Sequence, residues 1–165
     1  MSLDIPDSHP VAHRLAALTE SRLFLLRRPY DEKAARLKQD ITVDEVRKMK
    51  SFFALSAADG GRRVAIIDSI DEMNVSAANA LLKLLEEPPA RVTILMISHQ
   101  PAKLLPTIRS RCRELRLMPL APQDLADALT QAGGEVAPED RGALAELSGG
   151  SVGEAFRLTN LDGLK

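Results

Sequence analysis

Four short apolar runs punctuate the chain: "LFLL" (23–26), "VAIID" (64–68), "VTILMIS" (92–98) and "ELRL" (114–117). Each has the length of a strand, and the stretches between them carry helical spacing. The two middle runs are unbroken rather than alternating, which predicts strands covered on both faces of a parallel sheet. Strands separated by helices make the expected fold α/β, a parallel sheet with flanking helices. In "DITVDEVRKMKSFFAL" (40–55), Thr42 with Glu45 three residues on forms a capping box, and Val43, Val46, Met49 and Phe53 recur so as to face the sheet. In "SAANALLKLLEEPP" (76–89), Ala77, Ala78, Leu81, Leu82 and Leu85 predict an apolar face, with Asn79, Lys83 and Glu86 as the opposing polar stripe. Pro88-Pro89 ends that helix, since proline lacks the amide donor and the residue before it avoids the α region.

After "MPLAP" the pattern changes. Residues 122–132, 138–148 and 151–160 predict three short helices, stopped at Gly133-Gly134 and Gly149-Gly150, with Ser151 and Glu154 as a second capping box. The expected division is an α/β part over 1–119 and a small three-helix part over 120–165. "AADGG" (57–61) predicts a helix stop and turn before a strand.

Composition narrows the function. A net charge of −1 gives no global attraction to nucleic acid, so any such contact must come from a local patch. Aromatic residues make up 3%, too few for a stacking platform along a single strand. One cysteine excludes an intramolecular disulfide and a cysteine-rich zinc module, and fits a reducing cytoplasm. No apolar run is long enough to span a membrane.

Candidate chemistry is sparse. Asp68 stands at the carboxyl end of a buried strand, where open α/β sheets place ligands, and reads equally as a Mg²⁺-holding acid or a loop cap. No lysine follows a glycine, so the chain contains no G-x-x-x-x-G-K-[ST] phosphate loop and is not expected to hydrolyse ATP by itself. His9, His13 and His99 share no ligand spacing with Cys112, and Pro10 argues against a regular helix across His9 and His13. Cys112 reads as a small buried hydrophobe, although neighbouring arginines could depress its pKa. Arg47, Lys48 and Lys50 form a solvated face or a phosphate contact, of which Arg47 and Lys50 are kept as candidates for DNA phosphates. In "LLPTIRSRCREL" (104–115) Arg109, Arg111 and Arg113 alternate, which predicts an extended segment with three like charges on one side.

With "NALLKLLEEPP" (79–89), "ILMISHQPAKLLPTIRSRC" (94–112) and the Asp68 strand together, the chain resembles the AAA+ subunits of the bacterial DNA polymerase III clamp loader over about residues 21 to 160. The resemblance implies an AAA+ core, truncated at its N-terminus, and makes the helical part a lid domain. It also implies roles. Arg111, in Ser110-Arg111-Cys112, corresponds to an arginine finger that reaches a neighbour's ATP, making these three residues an interface. Asp68 is followed by Ser69 where active relatives carry the glutamate that orients water, and Asp71-Glu72 is displaced by three residues. Ser98, in preference to His99, falls at the sensor-1 position. Gly153 stands where active relatives carry a sensor arginine.

These departures fit the non-hydrolysing delta-prime type better than the gamma/tau type. The expectation is a subunit with no cofactor of its own, ATP and Mg being held by a neighbouring subunit. Its expected partners are gamma/tau and delta, with the sliding clamp and primed DNA reached through the complex. The alternative is an ATP-hydrolysing gamma/tau-type subunit that has lost its phosphate loop by truncation. The resemblance also implies a missing first strand and a missing collar, hence a fragment of a longer protein. The missing strand would leave a slot between "VTILMIS" and "ELRL", expected to close up or to be filled by the N-terminal segment or by another molecule.

Overall fold

The computed structural model describes residues 5–6, 8–54 and 61–160, and divides into two compact units between Arg113 and Glu114. Reading the sequence put the division after residue 119. The predicted turn at 57–61 lies outside the described residues apart from Gly61.

The first unit opens with α1 (Pro10–Ala16). A proline here starts a helix instead of preventing one: at the first helical position its missing N–H costs nothing. His9 caps it, Nδ1 accepting from the Val11 amide at 3.1 Å. Three parallel strands follow, β1 (Leu23–Leu26), β4 (Arg63–Ile67) and β5 (Val92–Met96), ordered β1-β4-β5. Leu23 pairs with Val64 and Arg63 with Val92. A two-residue hairpin, β2 (Tyr30–Asp31) with β3 (Arg36–Leu37), branches off after β1.

Helices α2 (Val43–Ala54) and α3 (Val75–Glu86) cover one face of the sheet. Val46, Met49 and Phe53 point inward from α2 as their spacing predicted. The Glu45 carboxylate accepts from Lys48 at 2.8 Å. In α3 the start is Asn74, whose side chain accepts from the Ala77 amide at 2.9 Å. The buried row is Ala77, Ala78, Leu81 and Leu84, while Leu82 and Leu85 are only half-buried. Steps of four and three, from Ala77 to Leu81 to Leu84, keep the row on the sheet more closely than the pairs read from the sequence.

The sheet departs from expectation on its other face. Alternation along a strand sends Ala65 and Ile67 into the helices, both fully buried, and Val64 and Ile66 the opposite way, where they are half-buried. On that side α1 contributes Val11 and Leu15 to a groove of about 360 Å³ with Leu23, Val64 and Ile66. Beyond it Leu95 and Ile97 are exposed. The unbroken runs therefore do not report cover on both faces in this chain.

Glu114–Leu117 forms no strand. Leu115 and Leu117 are 82% and 86% exposed, and no ladder partner occurs among the described residues. A strand needs a neighbour to satisfy its backbone, and among the described residues this run pairs with none. Among the described residues no strand pairs with β5 on the side away from β4, and the described N-terminal residues form α1 instead. The arginine alternation fails too. Pro106–Arg109 is a single turn of helix, α4, and residues 110–112 continue as turns, the Arg111 amide donating to the Ile108 carbonyl and the Cys112 amide to the Arg109 carbonyl.

The second unit holds α5 (Pro122–Gln131), α6 (Arg141–Leu147) and α7 (Val152–Asn160) around Leu125, Leu129, Leu144 and Ala155. Both Gly-Gly stops end their helices by the same pair of bonds. Gly134 and Gly133 donate to Leu129 and Thr130 after α5, and Gly150 and Gly149 to Ala145 and Glu146 after α6. Ser151 Oγ accepts from the Glu154 amide at 3.4 Å, one half of the expected box.

Gly150 is required twice over. Its φ is +68°, and a Cβ there would lie 2.7 Å from the Leu120 nitrogen and 2.8 Å from the Leu120 oxygen. Gly150→Ala is expected to destabilise the helical unit by at least ~2 kcal/mol in a denaturant titration. Gly153→Ala, whose Cβ would meet open space, is expected to leave the midpoint unchanged or slightly raised.

Candidate functional site

Two places in the first unit gather the residues singled out from sequence. The first is the carboxyl end of the sheet. Asp68 follows β4 immediately and is exposed, its amide donating to the Leu26 carbonyl at 2.8 Å. Ser69 is buried at 5% exposure and begins the tight turn Ile70–Glu72. This turn brings Asp71 back to β5: one carboxylate oxygen accepts from Ser98 Oγ at 2.8 Å and the other from the His99 amide at 2.6 Å. Ser98 is thus held by Asp71 and not by Asp68. Glu72 pairs with Arg28 at 3.0 Å. Both displaced acids are engaged within the chain, a role the sequence did not suggest. An acid inside the turn four residues past a strand's end, with a Ser-His dipeptide after the next strand, is the pattern that could have shown it.

The second place is the end of α4. Ile108 is 2% exposed and anchors the turn in the core with Leu81 and Leu84. With that residue fixed, Ser110 and Arg111 emerge at the surface and converge on one carbonyl. Thr107 O accepts from Ser110 Oγ at 3.2 Å and from Arg111 Nη1 at 2.8 Å. This carbonyl belongs to the last turn of a short helix and would otherwise lack a partner. Arg111 Nη2 lies 2.9 Å from Glu86 Oε1, at the end of α3, and the arginine side chain keeps 35% of its surface exposed. Glu86, read from sequence only as part of a polar stripe, is the group missed here. A carboxylate in the last turn of a helix opposes the macrodipole, and that misfit was its signal.

Cys112 turns the other way. It is half-buried against the core, and its Sγ donates to the Ile108 carbonyl at 3.0 Å. Burial raises its pKa, so the thiolate is scarce at neutral pH despite the adjacent arginines. The sequence predicts a small buried hydrophobe, whereas the structure leaves the side chain half-buried. Arg47 reaches Asp44 at 2.7 Å on an exposed helix face, while Lys50 is half-buried on the same helix. Gly153 sits in the first turn of α7, in the second unit.

Comparison with known proteins then places the chain. Its fold is that of the AAA+ class. Among solved structures, a DNA polymerase III gamma subunit-related protein of Thermotoga maritima aligns with a TM-score of 0.58 at 26% identity, over 92% of this chain and 50% of that one. Residues 13–121 match the family model described as "DNA polymerase III, delta subunit". A DNA polymerase III subunit delta′ of Pseudomonas aeruginosa is 43% identical over 148 residues, 87% of this chain and 42% of that protein. A DNA polymerase III subunit tau of Escherichia coli is 34% identical over 122 residues, 72% of this chain and 19% of that protein. The chain belongs to the delta-prime family of DNA polymerase III subunits, and it spans less than half the length of the delta′ relatives it matches.

Because burial suppresses the thiolate, Cys112 is expected to react with an aromatic disulfide reagent more slowly than free cysteine at neutral pH. Unfolding in urea should restore the ordinary rate; fast labelling of the folded chain would contradict the burial described.

Proposed function

We propose that this protein works as a delta-prime-type subunit of a bacterial DNA polymerase III clamp loader. It helps set the sliding clamp on primed DNA, in a complex with gamma/tau-type and delta subunits. It supplies Arg111 in trans to ATP and Mg held by a neighbouring gamma/tau-type subunit, and it does not hydrolyse ATP itself.

The observation that carries this reading is the presentation of Arg111. A guanidinium offers five N–H donors and a permanent charge, the chemistry that stabilises a transferring phosphoryl group. Here one N–H goes to Glu86 and one to Thr107, with Ser110 Oγ a longer 3.4 Å from Nη1. The Nε–H and the second N–H of Nη2 are left to meet phosphoryl oxygens, with the Nη1 N–H on Ser110 only loosely held. The side chain is fixed by its own subunit yet still reachable from outside.

The sheet end supports the other half of the proposal. Ser69 cannot act as a base toward water and is buried. Asp71, the nearest replacement carboxylate in sequence, has both oxygens occupied by Ser98 and His99. Asp68, Ser69, Ser98 and Gly153 are on this view degenerate remnants of an ATPase site.

In a reconstituted loader, Arg111→Ala is expected to lower the neighbour's ATP hydrolysis about 10³-fold, the size of effect that arginine fingers have. Arg111→Lys should not restore it, because an ammonium lacks the planar fork. An unchanged rate with Arg111→Ala would remove the assignment, and brisk ATP turnover by this chain alone would remove the non-hydrolysing half.

A further inference from the structure

We infer that Glu86 is the positioning residue for Arg111, holding its guanidinium at the surface, aimed and paired, before a neighbour's phosphate arrives. The inference rests on the trans-finger reading and adds the group that acts through the finger.

An arginine side chain left to itself samples many rotamers, and each must be given up when it binds. Two anchors remove that freedom here, and they come from different elements. Thr107 O on α4 takes Nη1 at 2.8 Å, and Glu86 Oε1 on α3 takes Nη2 at 2.9 Å. Both elements are seated in one core through Ile108, Leu81 and Leu84, so the two anchors hold a fixed spacing. Grip on the two terminal nitrogens defines the plane of the guanidinium as well as its position. A single anchor would leave it free to swing.

The placement of Glu86 itself points the same way. It closes α3 just ahead of "EPP", where a carboxylate faces the negative end of the helix. An acid there is unfavourable alone and favourable once a cation sits on it. The Glu86 carboxylate is 49% exposed, so the contact is too wet to be a main source of stability. Its effect falls on where Arg111 points.

The test uses the reconstituted loader, with the neighbour's kcat and KM for ATP as readouts. Glu86→Ala is expected to lower kcat about five-fold, what losing an exposed ion pair of this class amounts to, with KM little changed. Glu86→Gln keeps an oxygen acceptor for Nη2 and should stay within about two-fold of the parent protein. In an Arg111→Ala background, Glu86→Ala should change nothing further, since a positioning group has no effect without the group it positions. The same proportional loss in both backgrounds would overturn the proposal and make Glu86 an independent structural residue. So would an unchanged or raised kcat with Glu86→Ala, the rise marking Glu86 as a competitor for the finger. If Arg111→Ala itself has no effect, the finger reading has failed and takes this inference with it. If Arg111→Ala is damaging while Glu86→Ala is silent, only this inference falls. Unfolding midpoints of the isolated variants check that each is folded, and Glu86→Thr, which also removes the carboxylate, carries the same expected loss and the same overturning result should Glu86→Ala not fold.

Discussion

Leu26 and Ile67 sit opposite each other across β1 and β4, and Val46, Met49 and Leu81 pack over them from α2 and α3. Burial of such a side chain is worth roughly 1.5–3 kcal/mol, while an exposed ion pair contributes at most about 1. This one-sided packing therefore sets where everything else can be. It fixes the end of β4, and with it Asp68 and Ser69. It fixes α3, and with it Glu86. Ile108 is drawn into the same core, so the turn that carries Arg111 is held by an apolar anchor, and the polar contacts only aim what the anchor has already placed.

The two polar places in the first unit behave in opposite ways. At the sheet end, every acid of the displaced pair is satisfied internally, Asp71 by Ser98 and His99 and Glu72 by Arg28. A carboxylate with both oxygens filled is a brace. At the end of α4 the satisfaction is partial. Arg111 has enough partners to be ordered and retains enough donors to bind. A group acting outside its own subunit, the role proposed for Arg111, needs that intermediate state: a free arginine would lose too much freedom on binding, and a fully paired one would have nothing left to offer.

Much of this was legible in the sequence where burial is local. β1, β4 and β5 each coincide with an apolar run, α2 and α3 follow their spacing, and the Gly-Gly pairs end α5 and α6. The failures share a cause. "ELRL" has strand composition, but a strand depends on a neighbour that its own residues cannot supply. Val64 and Ile66 look like a buried face, but cover comes from other elements. Leu84 displaced Leu82 and Leu85 because the sheet selects which stripe of a helix it takes. Pro10 started a helix that it was expected to break, since its effect depends on position in the turn. The candidate site divides similarly. Arg111 was singled out through a motif, whereas its partnership with Glu86 joins residues 25 apart in sequence and exists only once α3 and α4 share a core.

The row formed by Leu95 and Ile97 on the open side of the sheet has a practical corollary for handling the protein, as do the exposed Leu115, Leu117 and Met118 of the second unit. A net charge of −1 and an isoelectric point near 6.3 provide little electrostatic repulsion between molecules near neutral pH. Sticky surface and weak repulsion together set a low ceiling on solubility for the purified chain. Buffers well above the isoelectric point widen that margin by raising the negative charge, whereas sulfate narrows it by strengthening apolar association.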